Sequence, residues 1–173
     1  MHRFLLPAFL ILSFTCSAYA AQIEVAFSPE GKAIDLVLKV INKAQKSVHV
    51  AAYHFTNGQI AQALAAAHKR GIDVRVVADK VDNSQKKKTS AVGYVVEHGI
   101  PMRLNGQYTV LHDKFLVVDG KHVQTGSFNY TIAATQKNAE NVLVVWDNPM
   151  VAGQYEQEWA RLWSAGEAIK LEQ

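Results

Sequence analysis

Residues 47–78 have the sequence SVHVAAYHFTNGQIAQALAAAHKRGIDVRVVA, and this stretch decides the fold. The largely apolar run from Ser47 to Tyr53 predicts a strand, the segment from Gly58 to Arg70 a helix, and Val74 to Ala78 a second strand. Gly71 stands where the C-terminal cap of that helix belongs. A strand, a helix and a second strand in this order form the unit that builds parallel sheets.

Alternating strand-like and helical runs continue on both sides of this unit. Strands are predicted at 23–27, 101–104 and 142–146. Helices are predicted at 32–44 and 149–165, and a further short helix ends at about residue 98. The last helix places Tyr155, Trp159, Leu162 and Trp163 on one face, a spacing typical of core packing. The sequence therefore predicts an α/β fold with a mixed β-sheet flanked by helices.

The first twenty residues resemble a secretory signal. The apolar run from Phe4 to Phe14 follows two basic positions, and Ala18-Tyr19-Ala20 provides the small residues of a cleavage site. We expect a signal peptide over 1–20, a domain over 21–173, and a periplasmic or secreted location; a retained N-terminal anchor is the alternative. Cys16 is the only cysteine, so the exported chain is expected to contain no disulfide.

Composition sets bounds without naming a function. The chain has 173 residues, of which 49% are hydrophobic and 19% charged, which is typical of a globular protein. Removal of Arg3 with the signal changes 18 basic and 15 acidic residues to 17 and 15, a net charge of +2. This small excess is compatible with a nucleic-acid partner but does not require one.

Two short motifs carry the chemistry. The first is His112-x-Lys114 with Asp119 five positions later, and the second is Gly126-Ser127-x-Asn129. A neutral imidazole can attack phosphorus, while a lysine and neutral hydrogen-bond donors can hold the anionic oxygens. The two motifs together indicate phosphodiester chemistry.

Strand geometry predicts how these residues converge. His112 and Lys114 are two positions apart and should share a face, whereas Asp119 begins an Asp-Gly turn and has a structural role. A two-residue turn would pair Val118 with Lys121. The same register would place Lys114 opposite Thr125 and His112 opposite Ser127.

Each polar residue then has an expected task. His112 is the candidate nucleophile and Lys114 supplies a positive charge. Ser127, Asn129 and the backbone near Gly126 supply directed hydrogen bonds. A carboxylate on the far nitrogen of the imidazole would stabilise its cationic form, and Glu140 is the candidate.

The run His112-x-Lys114-x-x-x-x-Asp119 followed by Gly126-Ser127-x-Asn129 resembles the signature of the phospholipase D superfamily. With one copy of the motif in a short chain, the resemblance is to the small bacterial endonuclease branch. It implies a phospholipase D-like α/β/α sandwich and a nucleophilic histidine, with the lysine and asparagine on phosphate. It also implies a glutamate at position 140 that supports the histidine, and no metal or other cofactor.

A single motif also predicts a dimer. One histidine cannot easily attack phosphorus and protonate the leaving oxygen in the same step. A two-fold interface would bring two copies of His112, Lys114 and Asn129 to one phosphate. The resemblance implies the same homodimer with a shared site.

Two further features are weaker candidates for substrate binding. His54 follows an apolar strand at its C-terminal end, where open α/β sheets often place ligand sites; a hydrogen-bonded structural role is the alternative. Lys86, Lys87 and Lys88 form a basic triplet that would guide a polyanion or simply cover a solvated loop.

The predicted function is a metal-independent, largely non-specific endonuclease acting on DNA, with RNA as a further substrate and no stable membrane association. The first alternative is a phospholipase D acting on lipid headgroups. The second is a metal-dependent nuclease that uses His112 with Asp113 or Asp119. Both aspartates are an odd number of residues from His112, so a strand would place their side chains on the opposite face from the imidazole. The third is a protein that binds nucleic acid without catalysis.

Overall fold

The computed structural model of the protein describes residues 22–84 and 91–169. The predicted signal segment over 1–20, with Cys16, lies outside the described residues, as do Lys86, Lys87 and Lys88.

The described chain alternates strands and helices much as the sequence predicts. The strands are β1 Gln22–Ser28, β2 Ser47–Ala52, β3 Asp73–Asp79, β4 Met102–Asn105, β5 Lys114–Val118, β6 His122–Gly126, β7 Glu140–Trp146 and β8 Glu167–Ala168. The helices are α1 Ala33–Asn42, α2 Gly58–Lys69, α3 Ala91–Glu97, α4 Ile132–Gln136 and α5 Pro149–Ser164.

The eight strands form one mixed sheet in the order β1-β7-β6-β5-β2-β3-β4-β8. Strands β2, β3 and β4 run parallel to one another, and the remaining neighbours pair antiparallel. The central strand β2 has an almost continuous apolar sequence because both of its faces are covered.

Helices cover the sheet from both sides. On one side α1 buries Leu36, Val37, Val40 and Ile41, a spacing that gives one apolar stripe, and α2 adds Ile60 and Leu64 to the same core. On the other side α5 buries Trp159 and Leu162 against β2, β3, β5 and β6. The predicted mixed α/β sandwich is confirmed.

The hairpin between β5 and β6 differs from its predicted register by one residue. Val118 pairs with His122 rather than with Lys121, so three residues form the loop instead of two. Asp119 and Gly120 have the positive φ angles expected of an Asp-Gly turn, 56° and 63°. The predicted pairing of Lys114 with Thr125 was therefore wrong, and so was that of His112 with Ser127.

Edge strand β1 carries an exposed apolar face. Ile23, Val25 and Phe27 are 59%, 51% and 60% exposed, and they alternate with residues that face α1. Their register partners include Val145 opposite Ile23 and Leu143 opposite Val25 on β7. We call these five residues the β1 patch.

Within residues 22–84 and 91–169, no helix combines the length and apolarity needed to cross a bilayer.

Candidate active site

The two sequence motifs meet at one edge of the sheet. Lys114 begins β5, Gly126 ends β6 and Glu140 begins β7. Because β5 and β7 both run antiparallel to the strand between them, these three ends lie side by side. Strand β2 ends at the same edge, since Ala52 pairs with Lys114.

His112 and Lys114 lie next to each other, but not as alternate residues of a strand. Strand β5 begins only at Lys114, so His112 belongs to the preceding loop and is exposed. The Lys114 side chain is buried, with 8% of the residue exposed, and its Nζ donates a 2.6 Å hydrogen bond to the His112 backbone oxygen. An accessible imidazole thus stands beside a buried ammonium group.

Burial changes the chemistry of this lysine. Desolvation lowers the pKa of Lys114, and the nearby carboxylates of Asp113 and Glu140 oppose this shift. The ammonium group is therefore less strongly hydrated than a surface lysine. An incoming phosphate would supply a charged hydrogen-bond acceptor for the buried cation.

Gly126 allows the chain to leave β6 close to β7. Its φ is +146°, and a Cβ atom at this position would stand 2.2 Å from the backbone oxygen of Asn141. A side chain is therefore excluded by both backbone conformation and space. The next amide, of Ser127, donates to the same oxygen at 3.1 Å.

Ser127 binds to Glu140 and Asn141 rather than standing free. Its hydroxyl donates to Glu140 Oε2 at 2.6 Å and accepts from the Asn141 backbone and side-chain amides at 3.0 and 3.2 Å. The second oxygen of Glu140 accepts from Asn138 Nδ2 at 3.1 Å. These contacts tie the start of β7 to the end of β6.

Glu140 does not support His112 directly in this structure. Within the described residues the His112 ring forms no hydrogen bond, and both Glu140 oxygens have the other partners just described. The expected contact between Glu140 and the imidazole is therefore not formed. The predicted register that placed Ser127 beside His112 fails because the three-residue loop shifts β6 by one position.

Asn129 is held between two buried aromatic residues. Phe128 and Tyr130 are buried, and the Tyr130 hydroxyl donates to Gln124 at 2.8 Å. The Tyr130 backbone oxygen accepts from the amides of Thr56 and Asn57, just beyond β2. The Asn129 Oδ1 atom is buried and has no hydrogen-bond partner among residues 22–84 and 91–169. The protein therefore does not use this amide oxygen for its own structure.

Asp119 lies at the opposite end of β5 from Lys114. Its carboxylate accepts hydrogen bonds from the backbone amides of Gln45, Lys46 and Ser47, at 2.7 to 3.1 Å. It thereby joins the hairpin turn to the start of β2. The length of β5 separates Asp119 from His112, so these two do not form the metal site considered as an alternative.

Tyr53 and Asp82 lie near the site, and no sequence motif marks either residue. The Tyr53 ring lies 4.7 Å from the His112 ring, and hydrogen bonding to Asp82 raises the pKa of Tyr53. His54 is not free to bind substrate through its Nε2, which lies 2.7 Å from Asp82 Oδ1. The position of Tyr53 just beyond a buried strand was the available indication for it.

A cavity of about 350 Å³ opens next to the motif residues on the α5 side. Residues that line it include His112, Asp113, Lys114, Thr125, Gly126, Gln154, Tyr155 and Glu158. Desolvation raises the pKa of Asp113, and the negative charge of Glu158 raises it further. The cavity provides space for a substrate group on this side of His112.

Comparisons with known proteins show which family the chain resembles. Residues 37–163 match the model of the family described as cardiolipin synthase, PLD-like domain. The mitochondrial cardiolipin hydrolase of Xenopus tropicalis is 35% identical over 86% of this chain and 66% of its own length. Phospholipase D of Rickettsia prowazekii is 31% identical over 80% of this chain and 66% of its own. The chain thus spans slightly less than two thirds of these curated relatives.

A solved structure is similar over nearly its entire length. Nuc from Salmonella typhimurium, a phospholipase D family member, superposes with a TM-score of 0.84 at 40% identity and covers 87% of this chain and 99% of its own. The predicted resemblance is confirmed by both comparisons. The chain therefore belongs to the phospholipase D superfamily, and to its short bacterial branch.

Proposed function

We propose that this enzyme is a metal-independent endonuclease that hydrolyses DNA with little sequence preference, with RNA as a further substrate. The observation that carries the proposal is the exposed His112 imidazole beside the buried ammonium group of Lys114. The motifs resemble those of the small bacterial endonuclease branch of the superfamily. The similarity to Nuc over 99% of that chain supports the same assignment.

The proposed reaction has two steps. A nitrogen lone pair of His112 attacks phosphorus, an N–P bond forms, and the P–O bond to the leaving oxygen breaks as that oxygen takes a proton. Water then attacks phosphorus and gives a proton to the group that protonated the leaving oxygen, the N–P bond breaks, and free His112 and the second product are released. Lys114 and Asn129 hold the non-bridging oxygens during both steps.

Phosphate contacts account for the proposed lack of sequence preference. The motif residues supply groups that bind phosphate oxygens, and such contacts carry no sequence information directly. Lys86, Lys87 and Lys88 would extend these contacts along a polyanion.

We further propose that the active form is a homodimer with a shared site. The His112 of the second chain would protonate the leaving oxygen while the first His112 attacks phosphorus. The β1 patch lies on strands β1 and β7. The same two strands pair Ser28 with Glu140 at the sheet edge that holds the motif residues, which supports this proposal. A second copy that covers the patch would lie next to the motif residues, and an isologous contact would repeat this arrangement on both chains.

Export is part of the proposal and rests on the sequence of residues 1–20 alone. We expect the enzyme in the periplasm or medium, without stable membrane association. N-terminal sequencing of protein recovered from cell fractions tests this. A start near Ala21 in a soluble exported fraction is the expected result, and an intact segment in the membrane fraction contradicts it.

Digestion of labelled substrates in excess chelator tests the activity. Single-stranded DNA, double-stranded DNA, RNA and phosphatidylcholine are compared with wild-type protein and His112→Ala. We expect wild-type protein to cleave DNA. His112→Ala should reduce the rate of cleavage by about 1000-fold or more, because the nucleophile is gone. His98→Ala removes an exposed histidine that lies in α3's C-terminal loop, and should cleave normally.

Trapping the intermediate distinguishes the alternatives. Acid-labile phosphate label on wild-type protein, absent from His112→Ala, supports the mechanism. DNA binding without cleavage or label would indicate a non-catalytic binding protein. Cleavage that chelator abolishes would indicate a metal-dependent nuclease.

A second candidate is a phosphodiesterase that acts on lipid headgroups. The names of the curated relatives favour it, since they include a cardiolipin hydrolase and a phospholipase D. The same digestion decides between the two, because His112-dependent release from phosphatidylcholine without cleavage of DNA would support the lipid substrate. A vesicle containing cardiolipin extends this arm of the test.

A further inference from the structure

Three side chains outside the two motifs form a connected group beside His112. The His54 ring stacks on the Tyr53 ring with centroids 4.0 Å apart and an angle of 18°. Asp82 Oδ1 lies 2.7 Å from His54 Nε2, and hydrogen bonding to the Asp82 carboxylate raises the pKa of Tyr53. We call Tyr53, His54 and Asp82 the Tyr53 group.

The Tyr53 ring contacts both principal motif residues. Its centroid lies 4.7 Å from that of the His112 ring, at an angle of 48°, and the Lys114 Nζ lies 5.0 Å from it. The ring therefore lies against the imidazole and faces the ammonium group. It is the aromatic side chain that contacts His112 in the described part of the chain.

Buried polar residues fix this group in place. Asn83 is buried and donates to the backbone oxygens of Tyr53 and Asp79 while it accepts from the Phe55 amide. The buried Asp79 carboxylate accepts from the amides of Asp82 and Leu111, at 3.0 and 2.8 Å. The segment just before His112 is thus tied to the same residues that hold the Tyr53 group.

We propose that Tyr53 and Asp82 are positioning residues that orient His112 and stabilise the positive charge that its ring gains on attacking phosphorus. The inference rests on the proposed function, because only a nucleophilic His112 acquires this charge. The phosphorylated ring keeps its proton on the other nitrogen and is cationic. An aromatic face within about 6 Å attracts such a cation.

Asp82 makes the aromatic ring a better partner for the cation. The hydrogen bond from His54 lowers the pKa of Asp82, which keeps the carboxylate ionised. The hydrogen bond to Asp82 raises the pKa of Tyr53, so the phenol keeps its proton and continues to donate. A phenol that donates to a carboxylate has more electron density on its ring, which strengthens its attraction for a cation.

This arrangement would add to any support that a carboxylate gives the imidazole directly. Glu140 forms no hydrogen bond to His112 in the described residues, since its oxygens bind Ser127 and Asn138. The Tyr53 ring connects the charge of Asp82 to the His112 ring. Removal of Asp82 should therefore act on His112 only through Tyr53.

Steady-state kinetics with bis(p-nitrophenyl) phosphate tests the proposal. We expect Tyr53→Leu to lower kcat about 10- to 30-fold, and Tyr53→Phe and Asp82→Asn each about 3- to 10-fold, with KM changed by less than about 2-fold. The double variant Tyr53→Phe/Asp82→Asn should lose no more than Asp82→Asn alone. Additive losses would overturn the inference, because Asp82 would then act by another route.

Tyr94→Leu is the matched control, since Tyr94 also stacks on a histidine, His98, with centroids 4.0 Å apart. It lies on α3, outside the site, and should leave kcat unchanged. An equal loss of kcat in this variant would assign the effect to general destabilisation.

Proton NMR of the His112 ring gives a readout that does not depend on turnover. Its ring protons are identified by their loss in His112→Ala. In Tyr53→Leu they should move towards the positions of an exposed histidine, because the ring current of Tyr53 is gone; unchanged positions would overturn the inference. Absence of hydrolysis by wild type overturns the proposed function, whereas wild-type hydrolysis with unchanged kcat in Tyr53→Leu overturns this inference alone.

Discussion

The Ser127 hydroxyl donates a 2.6 Å hydrogen bond to Glu140 Oε2 at the place where β6 ends and β7 begins. The sequence predicted that Ser127 would contact phosphate and that Glu140 would contact His112. The structure adds a contact that the sequence did not predict, since the two residues also bind each other. Their side chains therefore act as a unit, and a change in one should alter the other.

This pairing predicts strongly non-additive variants. Ser127→Ala leaves one Glu140 oxygen without its partner, and Glu140→Gln removes the charge that the hydroxyl binds. Each should lower kcat/KM by about 10-fold, and the double variant should lose little more than either one. The measurement is a double-mutant cycle on labelled DNA. Losses that simply multiply would show that each residue contacts the substrate independently.

The proposed dimer predicts that one charge in the β1 patch disrupts both association and turnover. Phe27→Asp places a carboxylate in the apolar patch, and we expect the dissociation constant of the dimer to rise about 100-fold. Sedimentation velocity across a dilution series, with activity assayed at each concentration, measures both effects. His98→Asp is the control, because His98 is exposed and follows α3, away from β1 and from the site. A wild-type monomer with full activity would contradict the shared site.

Lys114 predicts opposite pH trends for activity and stability. Desolvation lowers its pKa below the ordinary value of 10.5. As pH rises through this lowered pKa, the ammonium charge that binds phosphate is lost and kcat/KM falls. The unfolded lysine still binds its proton in this range, so the free energy of unfolding rises. Activity and urea denaturation, measured between pH 7 and 10.5, should therefore diverge.

Lys114→Met should remove both trends. We expect a loss of about 100-fold or more in kcat/KM at every pH, because the cation is gone. Lys121→Met removes an exposed lysine at the other end of β5 and should retain the wild-type decline in activity. An activity profile that falls only together with unfolding would contradict the role of Lys114.

Much of the fold could be predicted because it depends on local patterns. The apolar run of β2 and the periodic apolar positions of α2 identify strand and helix independently of their partners. The short elements α4 and β8 escaped prediction, since five and two residues offer too little periodicity. The hairpin register also depends on a distant contact. Asp119 accepts amides from residues 45–47, so the turn is held by the start of β2 as well as by its own sequence.

The site was predictable only where a motif marks it. His112, Lys114 and Gly126 could be selected from their spacing, and the structure places them at one sheet edge. The contact of Tyr53 with His112 joins residues 59 positions apart and leaves no local pattern. The pairing of Ser127 with Glu140 depends on the bend at Gly126, which strand alternation does not describe.

That bend predicts a severe effect of one methyl group. Gly126→Ala would place Cβ 2.2 Å from the Asn141 oxygen at a φ of +146°, so β6 and β7 must separate. We expect a loss of about 2–4 kcal/mol in the free energy of unfolding, together with reduced activity, because Ser127 moves with the strand end. Urea denaturation measures the loss.

Gly153→Ala is the matched control for this substitution. Gly153 lies in α5, and nothing stands within 4 Å of the position that its Cβ would occupy. Alanine should stabilise the helix by about 0.5–1 kcal/mol. Equal stability of both alanine variants would contradict the close approach at Gly126.

His122 predicts a loss of stability in acid that is separate from the site. Its Nδ1 accepts the Asp147 amide at 3.0 Å, so the folded protein uses the neutral ring. Desolvation lowers the pKa of His122 below 6.5, although the charge of Asp147 opposes the shift. The unfolded chain then binds a proton that the folded chain does not. Stability is full above pH 6.5 and declines as pH falls from there to the lowered pKa.

His122→Asn tests this relation, because an amide oxygen can accept the same hydrogen bond without titrating. We expect it to lose about 1–2 kcal/mol at pH 7.5, since the packing of the ring against Trp146 is lost. Its urea midpoint should then change less between pH 7.5 and 5 than that of wild type. His122 begins β6, at the opposite end of that strand from Gly126, so kcat should remain unchanged. A pH dependence identical to wild type would show that another group controls acid stability.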